Sequence, residues 1–516
     1  MLPRLISYSL LLFPLALSAQ SSLTLNGLVR DAAGAPIPAA VLSLQPSGLS
    51  ATTNGEGQFS FASLTPGDYL LTVTATGFVP HQETLALASS LPNLALRLHT
   101  MRTSVEISER MDDFLAAHSV SVTKSPQQLL DLPYAVQVLP KALLEDRQVQ
   151  ELRDLYRNIS GVTDSPYSAM TFRGFTQREI LFNGVRGNPY GSLDSGIDDA
   201  GFSTSQGRLT NIEFVEVLKG PAAVLFGAGE PGGVISFVTR KPRANHAAEL
   251  SFRTGSFSQK GGHGELTGPI SRKHNLFYRA AWYQEDRRTF RYNSRNENSH
   301  AAAALSWRPG PATSLGFEYE YIDQLLPAYR LRGIPVNSGG AWLAAREWNS
   351  SEPGDFSALQ SRIFQTRLDH AFTPTLRLDA TFRFLNFDRP ERYHEPRGIN
   401  PDGRTMRREF RDQYRANDDF SLTLNTYQRL APRGFFTHNL VYGFETVRQD
   451  WTGRYATARE RSRGGPVPDL DMRTPLYTVF GPAPYALPAY TNQNVDSRRL
   501  GFFLQDQVEL LPRLQL

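Results

Sequence analysis

From residue 247 onward, apolar and polar positions alternate in runs with the period of a strand whose two faces differ. Such runs occupy 249–257, 262–270, 276–284, 300–307, 314–322, 361–371, 376–387, 420–429, 437–448 and 499–508. About ten antiparallel strands are expected, with an eleventh beginning at Leu514. Short turns at 308–313, 372–375, 431–434 and 511–513 alternate with long polar connections at 323–356, 388–419 and 449–498. One side of this meander is tightly turned, and the other carries loops.

Residues 22–98 alternate over shorter runs: Leu23, Leu25, Leu28 and Val29; Val41, Leu42 and Leu44; Phe59 and Phe61; Tyr69, Leu71 and Val73. Turn residues at 31–34, 54–57 and 66–68 separate them, which predicts a small all-β sandwich of about seven strands. From 99 to 124 the pattern loosens, and Thr103, Ser104, Val105, Glu106, Ile107 and Ser108 form its one β-prone island. By itself the island reads as the sandwich's last strand or as a linker. Residues 125–243 read as mixed α and β. Leu143, Leu144, Val149, Leu152, Leu155 and Tyr156 stand near helical spacing over 142–157, whereas 135–139 and 180–182 are strand-like. Two β-rich runs, 213–218 and 234–239, flank Gly220, Pro221, Gly227, Gly229, Pro231, Gly232 and Gly233, giving strand, glycine-controlled turn, strand. Residues 227–232 match the GxGxxG dinucleotide pattern literally. That site needs a helix to start at the glycines, and here a strand follows.

The first residues place Arg4 ahead of an apolar core at 10–17 and small residues Ser18 and Ala19, so 1–19 read as a secretory signal peptide. The core is too short for a spanning helix, and no later apolar run is long enough for one, so any membrane insertion is expected through a β-barrel. Short turns opposite long loops are the asymmetry of an outer-membrane barrel. The 54 Lys+Arg against 50 Asp+Glu leave a formal charge of +4 with no concentrated basic stripe, so no nucleic-acid partner is implied. The chain has no cysteine, so disulfides and thiolate metal sites are excluded.

No nucleophile-elbow sequence, metal-ligand spacing or cofactor motif emerges, so neither an enzyme nor a cofactor is expected. His246 and Glu249 make a His-x-x-Glu, but an extended backbone would send the two side chains to opposite faces.

The run 211–242, NIEFVEVLKGPAAVLFGAGEPGGVISFVTRKP, closely resembles the end of the plug domain of TonB-dependent outer-membrane receptors. The phrases PQQLLDLP at 126–133, AVQVLPKALLEDRQ, LRDLYRNISGV, FRGF at 172–175 and ILFNGVRG extend the resemblance over 125–243. GLVRDAAGAPIPAAVLSL and TNGEGQFSFASLTPGDYLLTV within 22–98 resemble the carboxypeptidase regulatory-like domain. The resemblance implies a plug and, over 247–516, the N-terminal part of an outer-membrane barrel. Such barrels use about 22 strands, and about ten could not enclose a plug of roughly 120 residues, so a longer receptor is expected.

The resemblance makes 103–108 a candidate TonB box within the linker 99–124, a strand that the periplasmic transducer TonB would grip by adding it to a sheet edge. It makes Arg173, in the FRGF turn, and Arg186 and Tyr190, after LFNG, candidate ligand contacts. Arginine and aromatic groups suit an anionic ferric chelate because they offer charge-assisted donors and π-faces without competing for iron. Arg173 can equally lock the plug by an internal ion pair. Between 388 and 415 stand eight arginines among acidic residues, which read as a solvated loop with internal ion pairs or as a contact for an anionic ligand or lipopolysaccharide phosphate. The implied function is TonB-driven import of a ferric siderophore across the outer membrane, with outer-membrane lipid around the barrel. Oligosaccharide uptake is the alternative, because the regulatory-like domain also precedes glycan receptors. A surface adhesin is the reading from another class, and it has no use for a plug.

Overall fold

The computed structural model describes residues 23–31, 34–75, 78, 81–89, 91–98, 119, 121–124, 129, 134–165, 169–177, 180–190, 209–220, 223–226, 231–326, 328, 333–430, 436–511 and 514–515. The signal-peptide segment and the island 103–108 lie outside these residues. The chain divides into two units, 1–103 and 104–516.

In the first unit seven strands pair as two sheets. One has the order β4 (Gln58–Leu64), β1 (Leu23–Asp31), β7 (Leu91–Leu98), and the other β3 (Leu49–Thr52), β2 (Val41–Gln45), β5 (Gly67–Thr74), β6 (His81–Leu87). Alternate residues point inward, so Leu25, Val29, Leu42, Leu44, Phe61, Leu71 and Val73 meet in one apolar core. The Tyr69 hydroxyl donates to the Thr65 carbonyl at 2.8 Å, which satisfies the one polar end of a buried ring.

The second unit starts with the domain that carries the glycine-rich run. Its five-stranded sheet has the order β13 (Val185–Arg186), β12 (Ile180–Phe182), β15 (Gly233–Thr239), β14 (Ile212–Lys219), β8 (Ala135–Pro140). A second sheet, β9 (Val162–Ser165), β10 (Ala169–Phe172) and β11 (Phe175–Gln177), is antiparallel throughout. The expected helix over 142–157 is two helices, α1 (Lys141–Asp146) and α2 (Leu152–Tyr156), parted where Gln148 takes the left-handed φ of 50°. A short helix, α3 (Ala223–Phe226), stands between β14 and β15 where sequence pattern indicated only a turn.

The rest of the unit is one large antiparallel sheet: β16 (Ala247–Gly255), β17 (Gln259–Ser271), β18 (Leu276–Arg288), β19 (Arg295–Gly310), β20 (Thr313–Leu326), β21 (Phe356–Thr373), β22 (Leu376–Ile399), β23 (Thr405–Arg429), β24 (Thr437–Ala458), β26 (Thr491–Leu511) and β27 (Leu514–Gln515), each paired with the next. The two-residue β25 (Leu470–Asp471) pairs with β23. Ten long strands stand where ten were expected, and the array is part of a barrel wall. Its polarity is inverted. Trp282, Leu305, Phe317, Phe364, Phe382 and Phe420 are exposed on one face, while Glu265, Arg279, His300, Glu320, Gln365 and Arg383 are buried on the other. Apolar-out and polar-in is the arrangement of a sheet whose outer face meets lipid. Among the described residues no helix is long and apolar enough to cross a membrane.

One expectation fails. The connection read as a loop at 388–419 is largely strand, since β22 runs on to Ile399 and β23 begins at Thr405, and the one at 449–498 is shortened at both ends, since β24 continues to Ala458 and β26 begins at Thr491. The strands persist because β22 and β23 stay in register from Leu376↔Gln428 to Pro396↔Arg408. Charged residues on both faces of these extensions hide the alternation from a reading based on hydrophobicity.

Candidate functional site

The glycine-rich end of the plug is built on backbone approach. Phe172 is buried, and the chain turns through Arg173 (φ 50°) and Gly174 (φ 86°), with the Arg173 N–H donating to the Gly161 carbonyl at 2.7 Å. A Cβ on Gly232 would sit 2.2 Å from the Phe172 carbonyl oxygen, and one on Gly233 2.3 Å from that of Leu218. Only glycine allows β14, β15 and the Phe172 turn to close on one another. The Arg173 side chain itself is exposed.

Arg186 and Tyr190 lie elsewhere, in the seam between plug and wall. Arg186 is buried; its Nε is 3.1 Å from Glu445 of β24, and its Nη2 donates to the Phe226 carbonyl. Lys124 approaches the same carboxylate at 3.9 Å with its ammonium over the Phe226 and Phe503 rings. Burial lowers the Lys124 amine to about 8, with Glu445 opposing and Arg186 adding to the drop. Tyr190 is buried in a core it shares with Leu359, Ile363, Leu385 and Phe387 of β21 and β22. Next to it, Ser361 of the wall donates to the Pro189 carbonyl. The three candidates therefore do not converge on one site: Arg173 is apart from the other two.

The seam is lined by carboxylates that sequence reading did not single out. Glu318 of β20 accepts from Thr239 at 2.6 Å and from Lys241, and Asn183 reaches it at 3.4 Å. Glu265 of β17 holds Arg240 of the plug at 2.9 Å and Arg279 of the wall at 2.8 Å, and Arg279 also donates to Asn211 at 2.5 Å. Arg287 of β18 pairs with Glu151 at the start of α2. His300 bridges Thr210 at 2.6 Å and Glu320 at 3.1 Å. Arg186, Arg240, Lys241 and Glu151 of the plug thus meet the wall through charge-assisted hydrogen bonds and ion pairs, which are directional.

A further carboxylate, Glu216, is fully buried in β14. It accepts the Ser121 N–H at 2.8 Å, the Val122 N–H at 3.0 Å and the Ser121 hydroxyl. The C-terminal end of the linker is so tied to the central sheet of the plug, while Lys124, its last residue, is tied to the wall. A signal was present: Glu216 interrupts the apolar run Phe214, Val215, Val217, Leu218, and a buried charge in a strand needs partners.

The arginine-rich region consists of paired strands, and its charges are internal. Arg408 meets Glu352 at 2.9 Å, and Arg389 and Arg415 share Glu391; all five are buried. Arg392–Asp412, Arg411–Glu409 and Arg404–Asp471 pair at 2.8, 2.8 and 2.6 Å. Glu352 also accepts from the Thr478 and Val479 N–H groups, so the connections 327–355 and 459–490 are pinned together. The internal ion pairs were expected, but the solvated loop was not found.

Residues 128–234 match the TonB-dependent receptor plug domain, and residues 24–98 match the carboxypeptidase regulatory-like domain. The chain is similar to the metal-pseudopaline receptor CntO of Pseudomonas aeruginosa, 27% identical over 398 residues that cover 77% of this chain and 54% of the relative. It is also similar to the ferrioxamine B receptor of Salmonella typhimurium, 21% identical, with 75% and 54% covered. The chain thus spans about half the length of these curated relatives. Its fold matches the ferripyoverdine receptor of the Pseudomonas aeruginosa outer membrane with a TM-score of 0.67 at 18% identity, covering 80% of this chain and 54% of that one. The ferric-catecholate import receptor Fiu of E. coli K12 gives 0.65 at 18% identity, with 77% and 60% covered. With its matched plug, its matched regulatory-like domain and a wall sheet of the fold these solved receptors share, the chain is similar to TonB-dependent receptors, among them receptors named for siderophores.

Proposed function

We propose that this protein takes up a ferric siderophore or a related metal chelate across the outer membrane, driven by TonB. One observation carries the reading: a plug domain is seated by exchangeable polar contacts on the inward face of a sheet whose outward face is apolar. Such a plug closes a lumen at rest, and its seam can be rearranged by pulling. The relatives support the cargo class, being named for pseudopaline–metal, pyoverdine and ferrioxamine complexes.

In this reading Arg173, the exposed one of the three candidates, contacts the anionic chelate, while Arg186 and Tyr190 hold the plug turn to the wall. The pull enters at 103–108 and passes to the Glu216 and Lys124 anchors. The signal peptide delivers the chain to the outer membrane.

The test is uptake of iron-55 chelates by iron-starved cells expressing the receptor, with and without residues 103–108. Uptake lost with surface binding kept supports the assignment. Binding and import of an oligosaccharide instead, with no chelate bound, would leave the plug-and-wall mechanism and overturn the cargo. Surface attachment unaffected by the deletion, with no import of any solute, would favour an adhesin.

A further inference from the structure

We infer a transit site for an anionic oxygen on the barrel wall beneath the plug, made by Arg383 and Gln365; the inference rests on the importer reading above. The two residues are direct cross-strand neighbours on β22 and β21, and Glu318 and Ser421 flank them in the same row of β20 and β23. Both are almost fully buried, at 2% and 4% exposure. Yet Nε and Nη1 of Arg383 and Nε2 of Gln365 have no hydrogen-bond acceptor. A buried guanidinium with unmet donors is costly, and native proteins keep such a group where something else uses it.

The surroundings explain why the charge is tolerated and why it is left open. Glu318, Glu320 and Asp419 face the guanidinium electrostatically. Each is engaged elsewhere: Glu318 by Thr239 and Lys241, Glu320 by His300, and Asp419 by Asn417. Their field offsets part of the cost of burying the cation and leaves its donors unsaturated. The lid over the pair belongs to the plug. Arg383 lies over the Phe182 ring at 5.1 Å, and Gly187, at a φ of 125°, passes so close that a Cβ there would be 4.0 Å from the Arg383 Cζ. When the end of β12 and the backbone that follows β13 leave the wall, they uncover a cation and a neighbouring amide donor aimed into the lumen. That pair fits a carboxylate, catecholate or hydroxamate oxygen of a ferric chelate, with the guanidinium supplying charge and the amide a second hydrogen bond.

The site acts after capture, so it should affect passage and leave surface affinity alone. The experiment uses the receptor in iron-starved cells with whichever iron-55 chelate the wild type imports, chosen from a hydroxamate, a catecholate and a carboxylate panel. Arg383→Gln should keep the surface Kd and the apparent KM and lower the maximal uptake rate about tenfold, and Arg383→Lys should restore most of it. An unchanged rate in R383Q overturns the inference, as does a parallel loss of surface binding, which would place Arg383 in the entry site. Equal loss in R383Q and R383K with new sensitivity to a bulky antibiotic also overturns it, because that is a loosened plug. A free inorganic anion resident in the seam is the other source of the same chemistry. Phosphate that raises the Tm of purified wild type but not of R383Q would assign the site to that ion and overturn transit. If the wild type imports no chelate of the panel, the importer reading fails before the variants are compared.

Discussion

The N-terminal sandwich and the barrel wall are both built from strands of period two, yet they face their surroundings in opposite ways. In the sandwich Leu42, Leu44, Leu71 and Val73 are sealed inside, and polar residues face out. In the wall Phe382 and Trp282 face out, while Arg383, Gln365 and Glu265 are buried. Alternation alone specifies that the two faces differ, and the solvent on each side decides which of them is the inside. The sandwich is held by apolar burial. The wall holds its plug by hydrogen bonds and ion pairs beside the apolar contact of Tyr190 with β21 and β22.

The contrast can be broken most severely at the seam. Glu445→Gln leaves Lys124 and Arg186 buried without their carboxylate, and removing one partner of a buried pair costs about 3–5 kcal/mol. The plug should then unfold or become protease-sensitive at a lower urea concentration than the wall. In the sandwich, Leu44→Ala should cost about 2–5 kcal/mol by cavity formation, read from urea denaturation of residues 22–98. On the wall's outer face, Phe382→Arg should cost about 2–4 kcal/mol if that position sits near the bilayer midplane, measured by unfolding from lipid vesicles. The same outward charge on the sandwich, Leu70→Arg, should change little, because Leu70 already faces water.

A separate effect is on pH dependence. The Lys124 amine lies at about 8 in the folded plug against 10.5 ordinarily, so between these values the unfolded chain binds more protons. Plug stability should therefore rise with pH across that window, as the buried amine discharges. Lys124→Met should flatten the rise, which is measured as the urea midpoint of the plug on either side of the window.

Much of this was legible because strand period survives without context. The seven sandwich strands and the ten wall strands follow from where Leu25, Leu42 and Leu71, or Trp282 and Phe382, stand relative to their neighbours. The outer extensions were not legible, because Arg389, Glu391, Arg408 and Arg415 resemble a solvated loop until Glu352, from a distant connection, is brought to them. The same holds for the seam. Glu318, Glu445 and Glu216 find their partners across separations of 77 to 321 residues that no local pattern spans. The paired glycines were legible as backbone geometry, and FRGF as a phrase of the resemblance. Arg186 and Tyr190 could be placed on the right turn from sequence but not seen to be buried there.

The account depends on the plug turn leaving the wall during import. Because the chain has no cysteine, Arg186→Cys with Glu445→Cys introduces its only two thiols, which a short, reducible bis-thiosulfonate reagent can bridge. With the bridge in place, cells should still bind the labelled ferric chelate but import none, and a reductant should restore uptake. Import at the wild-type rate with the bridge intact would contradict the account.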